Sequence, residues 1–254
     1  MKNRKIEKKC LFIITGTSRG LGEALARKSL IRGDTLISLS RKRKTLGKNH
    51  HALSFDLSGK GDLRSAMMRA LAKVQLKTFS RVQIIHNAAL LEPIGEITTL
   101  DQKEVESHFQ VNLLAPIFLT KFLVKRLKSF EGEVVFSFIT SGAATRPISH
   151  WGPYCSSKAA LNMFVECLSN DNNNTQRKFI TLSPGLMDTK MQTQIRSKSN
   201  SAFPEVDLFK DYQKKGQLVS PDLVADSIIQ FLNQNDIGSK VHFWYNNGTI
   251  EGVR

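Results

Sequence analysis

Short apolar runs recur along the chain at 11–14, 35–39, 52–55, 82–85, 134–139, 179–182 and 241–244, with amphipathic stretches between them. Within each run the apolar positions are continuous rather than alternating, the pattern of strands covered on both faces. Helical spacing marks the intervening stretches at 22–31, 61–76, 102–118 and 156–168. Regular alternation of the two predicts right-handed βαβ crossovers. The fold class is therefore α/β: a doubly wound parallel sheet of about seven strands with helices on both faces. Neither an internal repeat nor a Pro-, Gly- or Ser-rich linker divides the chain, so residues 1–254 are expected to form one domain. The polar tract 170–176 is expected to be an exposed loop. Residues 187–218 break the rhythm, with no clear strand and apolar islands at Met187, Met191, Phe203 and Phe209. A segment of that length inside a compact domain is expected to be a short helical lid over a site.

Composition narrows the class. A hydrophobic fraction of 41% with 23% charged residues is globular rather than disordered. The 37 Lys and Arg against 22 Asp and Glu leave a formal net charge of +15, which raises nucleic acid or an anionic membrane as partners. No apolar run approaches the ~18 residues of a membrane span. The N-terminal stretch 1–9 is a basic extension, and the apolar run after it is too short for a signal-peptide core. Three cysteines, Cys10, Cys155 and Cys167, without a CxxC pair indicate neither a disulfide framework nor a zinc site. Scattered histidines, apart from the loop pair His50-His51, give no metal set either. A reducing cytoplasm fits these features.

Chemistry begins directly after the first strand, at Thr15-Gly16-Thr17-Ser18-Arg19-Gly20-Leu21-Gly22. Gly16, Gly20 and Gly22 let the backbone turn sharply and approach a pyrophosphate, whose charge the following helix N-terminus stabilises. This is the first turn of a Rossmann-type nucleotide fold. The second strand ends in Ser40-Arg41-Lys42-Arg43-Lys44, where an acidic residue would otherwise accept from an unphosphorylated ribose. Arg19 and Arg41 converging on one point suit a 2′-phosphate, so the inferred cofactor is NADPH/NADP+. Asp56, followed by Leu57 after the third strand, could accept from an adenine amino group or serve as a turn residue.

Tyr154 and Lys158 stand four apart on a predicted helix and face the same way. An ammonium beside a phenol favours the phenolate, lowering a pKa that is otherwise near about 10. Ser141, thirteen residues before Tyr154, follows the fifth strand, where its hydroxyl could hold a carbonyl oxygen. The glycine loop, Asn87-Ala88-Ala89, Asn112, Ser141, Tyr154-x-x-x-Lys158 and Pro184-Gly185 occur in one order over the whole chain. That set resembles the classical short-chain dehydrogenase/reductases. Within that family, Trp151-Gly152-x-Tyr154-Cys155, the segment from Pro184 to Met191 and Lys215-Gly216-Gln217-Leu218-Val219 are similar to sepiapterin reductases, and closer still to bacterial benzil reductases.

The resemblance implies roles at the matching positions. Tyr154 would donate a proton to a carbonyl oxygen, Ser141 would orient that carbonyl, and Lys158 would bind the nicotinamide ribose and lower the tyrosine pKa. Asn112 would hold, through its backbone, a water linking Lys158 to solvent. Ser18, Leu21, Met187 and Thr189 join the cofactor contacts, and the stretch 184–191 closes over the nicotinamide. Trp151, Gly185, Met191 and Phe203 would offer substrate surface. Two departures matter. Ala89 and His86 replace residues of the family's Asn-Asn-Ala-Gly, and His86 reads as a satisfied core histidine. His242 is the best match for the last-strand aspartate that anchors a pterin, and an imidazole cannot replace that carboxylate. The expected reaction is reduction of one ketone of a benzil-like dicarbonyl by a homodimer as in relatives, with a pteridine reductase as the alternative. A non-catalytic dinucleotide sensor binding nucleic acid is a further alternative; the intact Ser-Tyr-Lys set argues against it, and nucleic acid is disfavoured.

Overall fold

The computed structural model describes residues 9–42, 45–59, 61–173, 175–234, 236–237 and 240–252. The basic extension up to residue 8, and Arg43 and Lys44 of the basic run, lie outside the described residues. Seven strands run parallel: β1 (Cys10–Thr15), β2 (Thr35–Ser40), β3 (His50–Ser54), β4 (Arg81–His86), β5 (Glu133–Ile139), β6 (Arg177–Ser183) and β7 (His242–Asn246). An eighth, β8 (Thr249–Gly252), turns back antiparallel onto β7 and was not expected. Its burial alternates, exposed then half-buried, and four residues after a tight turn carry too little apolar signal to read as a strand. The order is β3-β2-β1-β4-β5-β6-β7-β8. The order reverses between β1 and β4, and the crevice at the carboxyl ends of the strands there is the ligand position of such sheets.

Alternate residues of each buried strand feed opposite cores. Phe12 and Ile14 of β1 pack toward α1 (Gly20–Ile31) and α8 (Pro221–Leu232). Leu11 and Ile13 face α2 (Leu63–Leu71), α4 (Ala115–Arg126) and α5 (Gly152–Asn170). Both faces being apolar explains the continuous runs. Stacking of Phe136 on Phe179, with ring centroids 4.9 Å apart, locks β5 to β6. His86 is buried, stacks on Phe138 and meets the Thr120 hydroxyl at 3.0 Å; burial pushes its pKa down to about 3.

The stretch 102–118 is not one helix. α3 (Gln102–Phe109) passes into a π-helical turn at Gln110–Leu114 before α4 begins. Such a widened turn leaves no mark on apolar spacing because both flanking segments keep helical period. Residues 187–218 contain α6 (Lys190–Arg196) and α7 (Val206–Lys214). A parallel bridge between Met187 and Val219 ties the two ends of that excursion together, so it leaves and rejoins the sheet at one place.

The tightest packing lies in the glycine loop. Gly16 and Gly20 adopt φ of +74° and +57°, a region that L side chains rarely enter. A Cβ at Gly22 would collide with the Gly16 carbonyl oxygen and the Asn87 amide, both held in place. Gly22→Ala is therefore expected to cost about 1–3 kcal/mol through overpacking. At about 2–4 °C per kcal/mol for a chain of this size, calorimetry should show a lowered unfolding midpoint.

Candidate active site

A cavity of about 850 Å³ opens at the carboxyl edge of the sheet. The Thr15 hydroxyl receives the Asn87 and Ala88 backbone amides at 3.0 and 3.1 Å, which fixes the end of β4 against the glycine loop. The Asn87 side chain donates to the Thr15 and Gly16 carbonyls, both at 3.1 Å. Gly16 N–H donates to the Leu39 carbonyl at 2.7 Å and so brings the loop to the end of β2. Consequently Ser18, Arg19, Leu21, Ser40 and Arg41 line one end of the cavity, with Asp56 and Leu57 beside them. Asp56 accepts from the Ser58 backbone at 3.0 Å, an Asx turn, and also faces the cavity. Ala88, Ala89, Pro184, Gly185, Met187 and Thr189 line it as well, with Thr189 close to Gly20 of the glycine loop. Among the described lining residues Asp56 is the only carboxylate, against Arg19, Arg41, Arg146, Lys158 and Lys190. An elongated ligand with phosphates near the glycine loop suits that donor set.

The other end is built on β5 and α5. Ser141 leaves β5 extended, accepts from the Ala143 amide at 3.2 Å, and hydrogen-bonds the Tyr154 phenol. One helical turn on, the Lys158 ammonium donates to the Ile139 carbonyl at 2.8 Å and lies 5.7 Å from the centre of the tyrosine ring. Both side chains are almost fully buried. Burial drives the phenol up to about 12, with the Ser141 hydrogen bond opposing it, and drives the ammonium down to about 8. The expected lowering of the tyrosine pKa by Lys158 is thus reversed. Desolvation is the largest effect on both groups and outweighs their mutual attraction. Near neutral pH the phenol keeps its proton and can give it away.

Around this pair the walls are apolar. Trp151 packs edge-on to Tyr154, with centroids 5.4 Å apart, and Met191 of α6 and Phe209 and Tyr212 of α7 complete the enclosure. Phe203 is not a wall: it is fully buried and stacks behind Trp151. Cys155 packs with the same cluster, its thiol directed at the Arg146 carbonyl. Asn112 does not line the cavity; its side chain is tied to both backbone groups of Leu90 at 2.8 and 2.9 Å. His242 is corrected more strongly. It sits at the start of β7, bonded to Glu166 at 2.6 Å and Thr181 at 2.7 Å, away from the cavity. It is Trp244 and Tyr245, at the far end of β7, that reach the cavity. Strand direction could have found them, because in a parallel sheet only carboxyl ends face the crevice. Among the described residues no group of three His, Cys, Asp or Glu side chains could hold a metal ion, and no helix is long and apolar enough to cross a membrane.

Residues 11–200 match the family model described as short chain dehydrogenase. The chain belongs to that family. Benzil reductase ((S)-benzoin forming) of Bacillus subtilis (strain 168) is 33% identical over 237 residues, 91% of this chain and 97% of the relative. Sepiapterin reductase of Xenopus tropicalis is 29% identical, over 91% of this chain and 94% of the relative. Among solved structures, that of the KRED1-Pglu enzyme superposes with a TM-score of 0.74 at 25% identity, covering 93% of this chain and all of that one.

The buried lysine has a measurable consequence. Its folded pKa, about 8, lies below the ordinary 10.5. Below pH 8 the fold therefore carries the full cost of an ammonium out of water. Between pH 8 and 10.5 the unfolded chain binds the extra proton, so stability rises with pH across that window. Lys158→Met should raise unfolding free energy at pH 7 by up to about 3 kcal/mol. Denaturation at several pH values should show this gain shrinking toward pH 10.5.

Proposed function

We propose that this short-chain dehydrogenase is an NADPH-dependent carbonyl reductase that reduces one ketone of a benzil-like dicarbonyl. The observation that carries the reading is a single cavity with two guanidiniums and a glycine loop at one end and a buried Ser141–Tyr154–Lys158 cluster at the other. Gly16, Ser18, Gly20, Asn87 and Thr189 would hold the dinucleotide backbone, with Arg19 and Arg41 on the 2′-phosphate. Bound there, NADPH supplies the hydride. The protein's own part is general acid catalysis. Ser141 orients the carbonyl oxygen and Tyr154 donates the proton it has retained; Lys158 holds the ribose and is the nearest charge to the reacting tyrosine. The names of the 33% identical relatives support a dicarbonyl. So does the lack of any carboxylate at the substrate end among the described lining residues, where a pterin edge would need one. Residues 187–218 act as the substrate lid within one domain. Exposed Leu114, Phe118 and Met163 around α4 and α5 supply the apolar face of the homodimer. The free cysteines fit the cytoplasm.

Spectrophotometric NADPH oxidation with benzil, other 1,2-diketones and sepiapterin tests the substrate class; a higher kcat/KM for sepiapterin than for every diketone would overturn it. Tyr154→Phe should lower diketone turnover by about 10²–10⁴-fold, the worth of an acid catalyst, while leaving NADPH binding by calorimetry intact. Arg41→Ala should weaken NADPH about 10-fold or more, as a charge-assisted bond of about 1.5–3 kcal/mol implies, and leave NADH nearly unchanged. Equal losses for both cofactors would refute the 2′-phosphate assignment.

A further inference from the structure

Behind the catalytic face of α5 lies a buried histidine that the reaction above does not use. His108, at the end of α3, has no exposed surface, and its ring stands edge-on to Tyr154 with centroids 6.1 Å apart. Its Nδ1 is 2.7 Å from the Glu92 carbonyl, and its Nε2 is 2.9 Å from Asn112 Nδ2 and 3.0 Å from Ser157 Oγ. These contacts define its protonation. Asn112 Oδ1 must accept from Leu90 N–H and Asn112 Nδ2 must donate to the Leu90 carbonyl, so the amide cannot be turned over. The atom facing His108 is therefore a donor, and Nε2 must present its lone pair. The Ser157 hydroxyl spends its proton on the Tyr154 carbonyl at 2.9 Å. That leaves the ring proton on Nδ1, where the Glu92 carbonyl receives it.

We propose that His108, as the neutral Nδ1–H tautomer, is a positioning residue that clamps the Leu90–Leu91 wall of the cavity and Asn112 to the Tyr154–Lys158 face of α5. Leu90 and Leu91 line the cavity, and Glu92 follows them directly, so the imidazole holds that wall directly at Glu92 and, through Asn112, at Leu90. A proton on Nε2 would set N–H against the Asn112 amide and dissolve the clamp. The surrounding groups resist that proton. Burial and the Lys158 ammonium from α5 keep the ring below its ordinary 6.5, outweighing the Glu92 and Pro153 carbonyls that favour charge. Tyr154 is a neutral phenol, and the Glu92 carboxylate is engaged by Lys198 and the Ile94 amide.

The activity readout rests on the reductase reading; the tautomer readout does not. Long-range ¹H–¹⁵N correlation on the full chain, cofactor-free, should show His108 neutral and protonated at Nδ1 near neutral pH. For a diketone, wild-type kcat/KM should fall once pH drops below the ordinary histidine range, and KM should rise first. His108→Gln, whose amide oxygen can still accept from Asn112, should retain most activity at pH 7.5 and lose that acid limb. His108→Phe should lower kcat/KM at least ~10-fold at every pH. An Nε2–H or charged ring near neutral pH, an unchanged acid limb in His108→Gln, or wild-type kcat/KM in a folded His108→Phe would each overturn the proposal. Should the wild type reduce no carbonyl, the reductase reading fails and the tautomer spectrum alone decides.

Discussion

An ammonium kept out of water at the carboxyl edge of the sheet is the constraint on which the rest of this site turns. Lys158 has the Ile139 carbonyl and a tyrosine ring for company, with no carboxylate in the cavity's inner half among the described residues. A buried cation without a counter-charge is tolerable only where the surroundings are rigid and donate dipoles to it. Both conditions are met. The end of β5 is held by Thr140 bonding to Asn162 of α5 at 2.7 Å, and α5 itself is cross-linked beneath the site through Ser157, His108 and Asn112. The same desolvation that lowers the lysine raises the tyrosine, because burial disfavours the charged form of each.

How far this could be read from the chain depends on the range of the interaction. All seven parallel strands, the glycine loop and the Ser141–Tyr154–Lys158 spacing are local patterns, and each appears where local pattern placed it. What escaped was non-local or neutral to periodicity. The π turn at Gln110–Leu114 hides between two segments that each keep helical period. β8 is a strand only because β7 offers it a free edge. His242 stands at the amino end of its strand and Trp244 and Tyr245 near the carboxyl end, a distinction that strand direction carries and apolar spacing does not. His108 carried no sequence signal, since its partners at Glu92, Asn112 and Ser157 come from three separate segments.

The sign of a pKa shift is the sharpest instance of that limit. From spacing alone, a lysine four residues from a tyrosine predicts attraction and a lowered phenol. Spacing gives proximity but not depth, and depth decides here, because burying both groups costs each its charged form before their mutual attraction is counted. Tyr154 and Lys158 are driven apart in pKa, to about 12 and about 8, so that the phenol remains an acid across the physiological range.

The charge that first suggested a polyanion partner resolves the same way. At the glycine-loop end Arg19 and Arg41 are exposed and solvated, so their cost in the protein is small, as the proposed grip on a 2′-phosphate requires. At the inner end a single lysine is desolvated, and its field acts across a few ångströms of low-dielectric interior rather than through water. One cavity thus holds cations of two kinds: outer ones kept in water, and an inner one withdrawn from it beside Tyr154. A surface built for nucleic acid would need only the first kind. The inner lysine, buried against its own solvation, is the feature that the proposed reduction uses and a polyanion-binding surface would not need.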